Sequence, residues 1–231
     1  MPKKRVLRKR MVVFSPHPDD GALGCGGTIA KRVSEGFDVY VVMLTDGRHA
    51  FSKRLGISSE PSPEEVKQIR RLEFTKAMKM LGVPEKNLLF FDFEDGTLEM
   101  HRDEAEEKTI AIIEKYWPAD MYYPFRRDCH PDHQATNSIV RHALQQLRYA
   151  GSYEYTITHT YAHLGPLMER FLSLLKRDEV EEDISAFLNL KERVLDEYKS
   201  VTTIISSKQK KPLHTSVKRF LKKKEIFRES K

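Results

Sequence analysis

The chain has 231 residues, 39% of them hydrophobic, which is enough to bury the core of one enzyme-sized domain with a helical appendix. Two distant cysteines, Cys25 and Cys129, exclude a disulfide framework and a Cys-type zinc finger and point to a reducing, cytoplasmic setting; the longest apolar run, 39–44, falls far short of the ~20 residues of a membrane span. The net charge is +6, yet six Lys and Arg lie in the first ten residues and eight more in 208–224, and removing those fourteen leaves −8, which argues against a basic domain built to hold nucleic acid.

The basic start has no apolar stretch behind it, so no secretory leader is expected. Val12-Val13-Phe14 reads as a strand that ends in Pro16-His17-Pro18-Asp19-Asp20, and helical spacing follows over 22–35 with Gly36 at the C-cap. Residues 37–44 are apolar enough for a strand covered on both faces, and 48–61 form a polar loop without periodicity. Ser62-Pro63-Glu64-Glu65 carries an N-cap, a first-turn proline and a capping box. The helix it opens runs to about Leu81, with a buried stripe expected at Val66, Ile69, Leu72, Ala77, Met80 and Leu81.

A strand at 87–91, a helix at 104–116, a strand at 120–125, a helix at 133–147 and a strand at 153–161 continue the alternation. Beyond 165 the pattern turns helical: 166–176, an acidic break at 178–183, a helix from 184 to about 205, and a basic tail with a short helix around 216–227. Repeated strand and helix units predict an α/β fold, Rossmann-like, with an open, mainly parallel sheet, helices on both faces and a C-terminal helical extension. One domain spanning 1–231 is expected, its core about 10–165 and its C-terminal helices and basic tail 166–231. Gly24-Cys25-Gly26-Gly27 lacks the GxGxxG spacing of a dinucleotide loop, so those glycines read as close-packing positions of the first helix.

Two loops concentrate the chemistry. In the first, His17 and Asp20 are three apart and can converge on one point, while Asp19 must face elsewhere. Read alone, the two aspartates also suit a helix cap. The second loop, Asp128-Cys129-His130-Pro131-Asp132-His133, follows the fourth strand and opens the next helix, with Asp132 placed to favour its dipole. If the first and fourth strands are neighbours, both loops emerge where the strand order reverses. That juxtaposition brings His17, Asp20 and one of the second-loop histidines together as three ligands of an open metal site, with Asp19 left as a general base. By contrast, Asp46 and Asp95 read as turn-closing residues, Cys129 as a small packed residue, and His49, His101, His142, His159, His163 and His214 as histidines without compelling partners. His159 and His163 follow the fifth strand, where one is placed to line the cleft.

These motifs resemble the PIG-L or LmbE-like zinc-dependent de-N-acetylases over nearly the whole chain. Pro16 to Gly21 matches that family's AHPDDE loop, followed by Gly26-Gly27-Thr28, and His130 to His133 matches its HPDH motif. Weaker echoes are Thr45-Asp46-Gly47, the helix carrying Arg70 and Glu73 and ending in Leu81-Gly82, Asp95-Gly96, and Asp183-Ile184-Ser185 with Lys191. The resemblance implies that His17, Asp20 and His133 bind Zn2+, that Asp19 is the base, that His130 polarises the scissile carbonyl and, if protonated, stabilises the oxyanion, and that Arg70 contacts the sugar. It further implies hydrolysis of the acetamide of an N-acetylglucosamine-type conjugate. Pro16 stands for the usual Ala and Gly21 for the usual Glu; neither removes a ligand or the base, but loss of that carboxylate bears on substrate preference. The partner expected is a small N-acetyl sugar conjugate, with no dedicated nucleic-acid partner and no membrane span; the sequence leaves a homo-oligomer open. The alternatives are a zinc amidase of the same fold acting on another small amide, and an anionic-surface or nucleic-acid binder working through the basic tails.

Overall fold

The computed structural model describes residues 9–157, 179–214 and 217–230. Its strands are β1 (Arg10–Ser15), β2 (Asp38–Thr45), β3 (Leu88–Phe93), β4 (Asp120–Pro124), β5 (Ser152–Tyr155), β6 (Glu179–Asp183) and β7 (Lys224–Glu229). They form one sheet in the order β3-β2-β1-β4-β5-β7-β6. The first five pair in parallel, and β7 pairs antiparallel with both β5 and β6. The helices are α1 (Asp20–Ser34), α2 (Ala50–Leu55), α3 (Pro63–Met80), α4 (Arg102–Tyr116), α5 (Pro131–Gln146), α6 (Leu188–Leu195) and α7 (Lys199–Thr202).

Strand β1 is central and alternates between two cores. Met11 and Val13 pack with Leu23, Ile29, Phe74 and Val194 on one face, while Val12 and Phe14 pack with Ile113, Ile139 and Val140 on the other. A strand buried on both sides must be apolar throughout, as this one is. Because β1 pairs with β2 on one side and β4 on the other, the strand order reverses between β1 and β4, and the loops after these two strands open side by side. The α1 glycines act as the sequence suggests: a Cβ on Gly24 would collide with the ring of Tyr155, and one on Gly27 with Ile184.

Four local expectations are corrected. The buried stripe of α3 is Val66, Arg70, Phe74, Ala77, Met78 and Leu81, with Leu72 largely exposed; a buried arginine sits on the stripe and shifts it by one residue. The acidic segment taken as a break is the edge strand β6, held to β7 by Lys224–Glu181 at 2.6 Å and Arg228–Glu179 at 3.7 Å. A charged edge of this kind resists further strand addition. In place of the expected tail helix, the described residues form a 3-10 turn at Lys218–Phe220 and then strand β7, whose inward positions are Glu225 and Phe227. The expected helix from 184 to 205 is divided into a 3-10 turn, α6 and the single turn α7. Residues 166–176, along with His159 and His163, lie outside the described residues. No helix among the described residues is long and apolar enough to cross a membrane.

Candidate active site

The first site loop is tied down by its own backbone. Thr45, at the end of β2, donates to the Pro16 carbonyl from its N–H at 2.9 Å and from Oγ1 at 2.8 Å. Ser15 Oγ donates to the His17 carbonyl at 2.6 Å and accepts the Gly21 N–H at 2.8 Å. A Cβ at position 21 would lie 3.3 Å from that Ser15 oxygen, so a longer side chain there requires Ser15 to move.

With the loop fixed, His17 Nδ1 lies 2.9 Å from Asp20 Oδ2 and 3.2 Å from His133 Nε2, and His133 Nε2 lies 3.0 Å from the same Asp20 oxygen. All three residues are buried. The outer ring nitrogens meet carboxylates instead: His17 Nε2 faces Asp132 Oδ2 at 3.2 Å and Asp95 Oδ1 at 3.6 Å, and His133 Nδ1 faces Asp128 Oδ1 at 3.1 Å. Asp20 meets the inner nitrogens of both rings as well; with the N–H on the outer nitrogens, the inner ones of His17 and His133 present lone pairs to a cation. Two lone pairs and a carboxylate oxygen within about 3 Å of one another, out of water, call for a cation.

Protons can supply that charge. Burial opposes the charged form of His17, but Asp20, Asp132 and Asp95 outweigh it and hold its pKa well above the ordinary histidine value. Against the same opposition, Asp20 and Asp128 raise His133 to about 9. Asp20 is the counterpart: burial works against its charge, yet His133 and His17 pull it well below the usual carboxylate range. A divalent metal satisfies the same three atoms without protons. His17, His130 and His133 also hold donor atoms within 4.8 Å of one another, as do His17, Asp95, His130 and Asp132, and the latter group fits an ion less well. There His130 Nδ1 accepts the Asp132 N–H at 3.2 Å, and Asp132 accepts the N–H of Gly96 at 2.7 Å and of Leu98 at 3.3 Å, so those acceptors are already engaged.

His130 sits at the N-cap of α5, with its ring 4.5 Å from that of His17. Burial and the adjacent charge of His17 and His133 push it down to about 4. Because its Nδ1 accepts from the Asp132 N–H, its proton resides on Nε2. A neutral His130 ring so placed still donates from Nε2.

Asp19 faces away from Asp20. Arg70 Nη2 donates to its Oδ1 at 2.6 Å, and His214 Nε2 lies 3.3 Å from its Oδ2. Burial disfavours its charge, but Arg70 and His214 outweigh burial and lower the carboxyl to about 2. Arg70 is only 4% exposed and also donates to the Gly47 carbonyl at 3.0 Å. It is thus held against Asp19, and its contacts among the described residues are with the protein itself.

Four further residues belong to this centre. Asp128, Asp132 and Asp95 hold the histidines, and Asp95 is more than the turn-closer its Asp-Gly context suggests. His214 arrives from the far end of the chain. Asp128 and Asp132 sit inside the second motif, which was their signal; nothing in the sequence around His214 announces it. Cys129 is exposed rather than packed.

A Rossmann-like sheet carrying this His and Asp cluster at its switch point defines an α/β protein with a group that could hold a metal ion. Residues 12–144 match the family described as GlcNAc-PI de-N-acetylase, PIG-L, and the chain belongs to that family. It is 32% identical over 164 residues to a diacetylchitobiose deacetylase of Thermococcus kodakarensis, covering 68% of this chain and 56% of that one. It is 31% identical over 144 residues to a probable N-acetyl-alpha-D-glucosaminyl L-malate deacetylase 2 of Bacillus cereus, covering 61% of this chain and 63% of that one. The chain thus spans less than two thirds of the length of either relative. In structure it resembles an N,N'-diacetylchitobiose deacetylase of Pyrococcus horikoshii, with a TM-score of 0.68 over 95% of this chain and 83% of that one at 22% identity, a likeness of fold.

Proposed function

We propose that this chain is a zinc-dependent hydrolase that removes the acetyl group from an N-acetylglucosamine-type sugar conjugate, with His17, Asp20 and His133 as the zinc ligands. The observation that carries the reading is the set of three inward donors 2.9, 3.0 and 3.2 Å apart. Donors ~2.0–2.1 Å from one tetrahedral zinc lie about 3.3 Å apart, so small adjustments suffice. Two imidazoles and one carboxylate are also among the three-ligand sets that hold an open catalytic zinc. Zinc held there supplies Lewis acidity and lowers the pKa of water toward ~7.

The chain's own groups do the rest. Asp19 accepts the proton of the attacking water, because it is the one carboxylate beside the three donors that is not turned toward them. Arg70 keeps it ionised at neutral pH. His130 donates from Nε2 to the acetamide oxygen as negative charge develops there. A neutral imidazole suits this role, since its proton stays on the donor nitrogen while Asp132 N–H occupies the other. The water oxygen bonds to the acetamide carbon, and as the C–N bond breaks the leaving nitrogen takes up a proton, the one held by Asp19 or the one on His130 Nε2, so that acetate and a free amine are released.

Family membership supports the acetamide, and the relatives' names support the sugar. One relative, 31% identical over 96 residues, is named 4-oxalmesaconate hydratase, so the fold alone does not choose the reaction. The deciding experiment incubates zinc-loaded protein with N-acetylglucosamine, N,N'-diacetylchitobiose, and N-acetylglucosaminyl conjugates of malate and inositol. Equimolar acetate and primary amine from at least one of them is the expected result. Cleavage of none, with cleavage of an unrelated small amide, would favour the amidase alternative.

A further inference from the structure

The segment beyond the 12–144 family match does more than cover the sheet. Glu73 on α3 accepts the Ser200 N–H at 2.7 Å and the Ser200 hydroxyl at 2.5 Å, which docks α7 onto α3 one turn beyond Arg70. Tyr198, at the start of α7, is fully buried beside them. The chain then loops across the α2–α3 connection. Ser206 Oγ donates to the Glu60 carbonyl, Lys208 Nζ reaches Ser59 Oγ at 2.6 Å, and Ile205 and Leu213 pack against Phe51, Ile57 and Val66. It closes back on α7 through the His214 N–H, which donates to the Val201 carbonyl at 2.8 Å. The imidazole so placed puts Nε2 3.3 Å from Asp19 Oδ2, opposite Arg70 on Oδ1.

From this geometry we infer that His214 is a positioning residue for the reaction, holding the Asp19 carboxylate in the orientation that meets the attacking water. The inference rests on the deacetylase reading of the site. A carboxylate gripped by Arg70 alone still rotates about its Cβ–Cγ bond and swings its free oxygen. A donor on Oδ2 removes that freedom, which matters because a misplacement of about 1 Å can cost on the order of a hundredfold in rate. The arm from Tyr198 to His214 is thereby part of the active site, although neither of its ends lies near Asp19 in sequence.

The test compares wild type with His214→Ala and His214→Gln, whose amide nitrogen reaches the place of Nε2 and keeps the donor. Zinc content, kcat and KM on N,N'-diacetylchitobiose are measured for each. In parallel, the ring nitrogens of His214 are followed by NMR in wild type and in Asp19→Asn. The expected result is a kcat about tenfold lower or more in His214→Ala, with KM and zinc content unchanged, substantial recovery in His214→Gln, and a shift of the Nε2 resonance when Asp19 loses its charge. A wild-type kcat in His214→Ala, a change confined to KM, a Gln variant no better than Ala, or an Nε2 resonance indifferent to Asp19→Asn would each overturn the inference. If wild type cleaves none of the candidate conjugates, the deacetylase reading has failed, and the NMR arm still decides the His214–Asp19 contact.

Discussion

The two site loops and the C-terminal region are built on opposite plans. In the loops after β1 and β4, functional residues sit two or three apart and bond within the turn: His17 with Asp20, and His130 with the Asp132 N–H. In the C-terminal region the contributing residues stand alone and act over long sequence distances. Lys191 donates to the Leu23 carbonyl at 2.8 Å and to Glu225 at 2.6 Å, and Glu225 in turn accepts the N–H groups of Gly27 at 2.9 Å and Thr28 at 2.8 Å. A buried ion pair from two distant segments thus grips the middle of the helix that carries Asp20 at its start. The reactive set is encoded locally, while its rigidity is supplied by residues with no local signature.

Breaking the local set should have the largest effect. His17→Ala or His133→Ala should lose the bound metal, and turnover with it, in folded protein. Metal analysis beside circular dichroism checks this, and full occupancy in both variants would remove them as ligands.

Breaking the distant support should cost stability first. Lys191→Met leaves the Glu225 carboxylate buried without its cation, and the loss expected is about 3–5 kcal/mol of unfolding free energy. Adding Glu225→Gln to that variant should recover part of it, since the amide oxygen still accepts an N–H of α1. Denaturant unfolding of the three proteins reads both effects. Equal stability of Lys191→Met and wild type would mean the pair is not what holds α1.

The metal-free protein offers a pH readout. Asp20 and Asp128 raise His133 to about 9 in the folded protein, against an ordinary value of 6.5. Because the folded pKa is the higher, this contribution to stability is fully present below about pH 6.5 and is lost as pH rises through about 9. After chelation the melting temperature should therefore fall across that window, and zinc loading should flatten the fall. A chelated protein whose stability is level from pH 6.5 to 9 would speak against the cluster's need for positive charge.

The smallest effect is expected at the basic start. Deleting residues 1–8 should leave metal binding and turnover of a neutral N-acetyl sugar nearly unchanged, because β1 begins at Arg10. Salt-dependent loss of kcat/KM on an anionic conjugate alone would assign those residues to electrostatic steering instead.

This division also explains what the sequence made legible. Strand and helix alternation and the approach of His17 to Asp20 follow from periodicity and turn spacing, which are local, whereas the β1–β4 neighbourhood has to be supposed from a doubly wound sheet and His133 is singled out from His130 by the family resemblance. Misreadings occurred where a polar residue is buried for a tertiary reason. Arg70 lies on the buried stripe of α3 because it pairs with Asp19, and an apolar count therefore promoted Leu72 wrongly. Glu225 faces inward from β7 because Lys191 and α1 need it, so the strand lacks the apolar alternation that would have marked it. Asp95 and His214 were set aside since an Asp-Gly turn and a solitary histidine in a basic tail look ordinary until the fold aims them.

The central claim is that metal binding and proton abstraction belong to adjacent but separate carboxylates, Asp20 and Asp19. The most direct measurement is zinc content and acetate release for Asp19→Asn, on the best of the candidate conjugates. Full zinc occupancy with kcat reduced by orders of magnitude is the expected outcome, because the substitution removes the proton acceptor and leaves the three inward donors in place. Near-normal turnover, or loss of the metal together with activity, would contradict the separation.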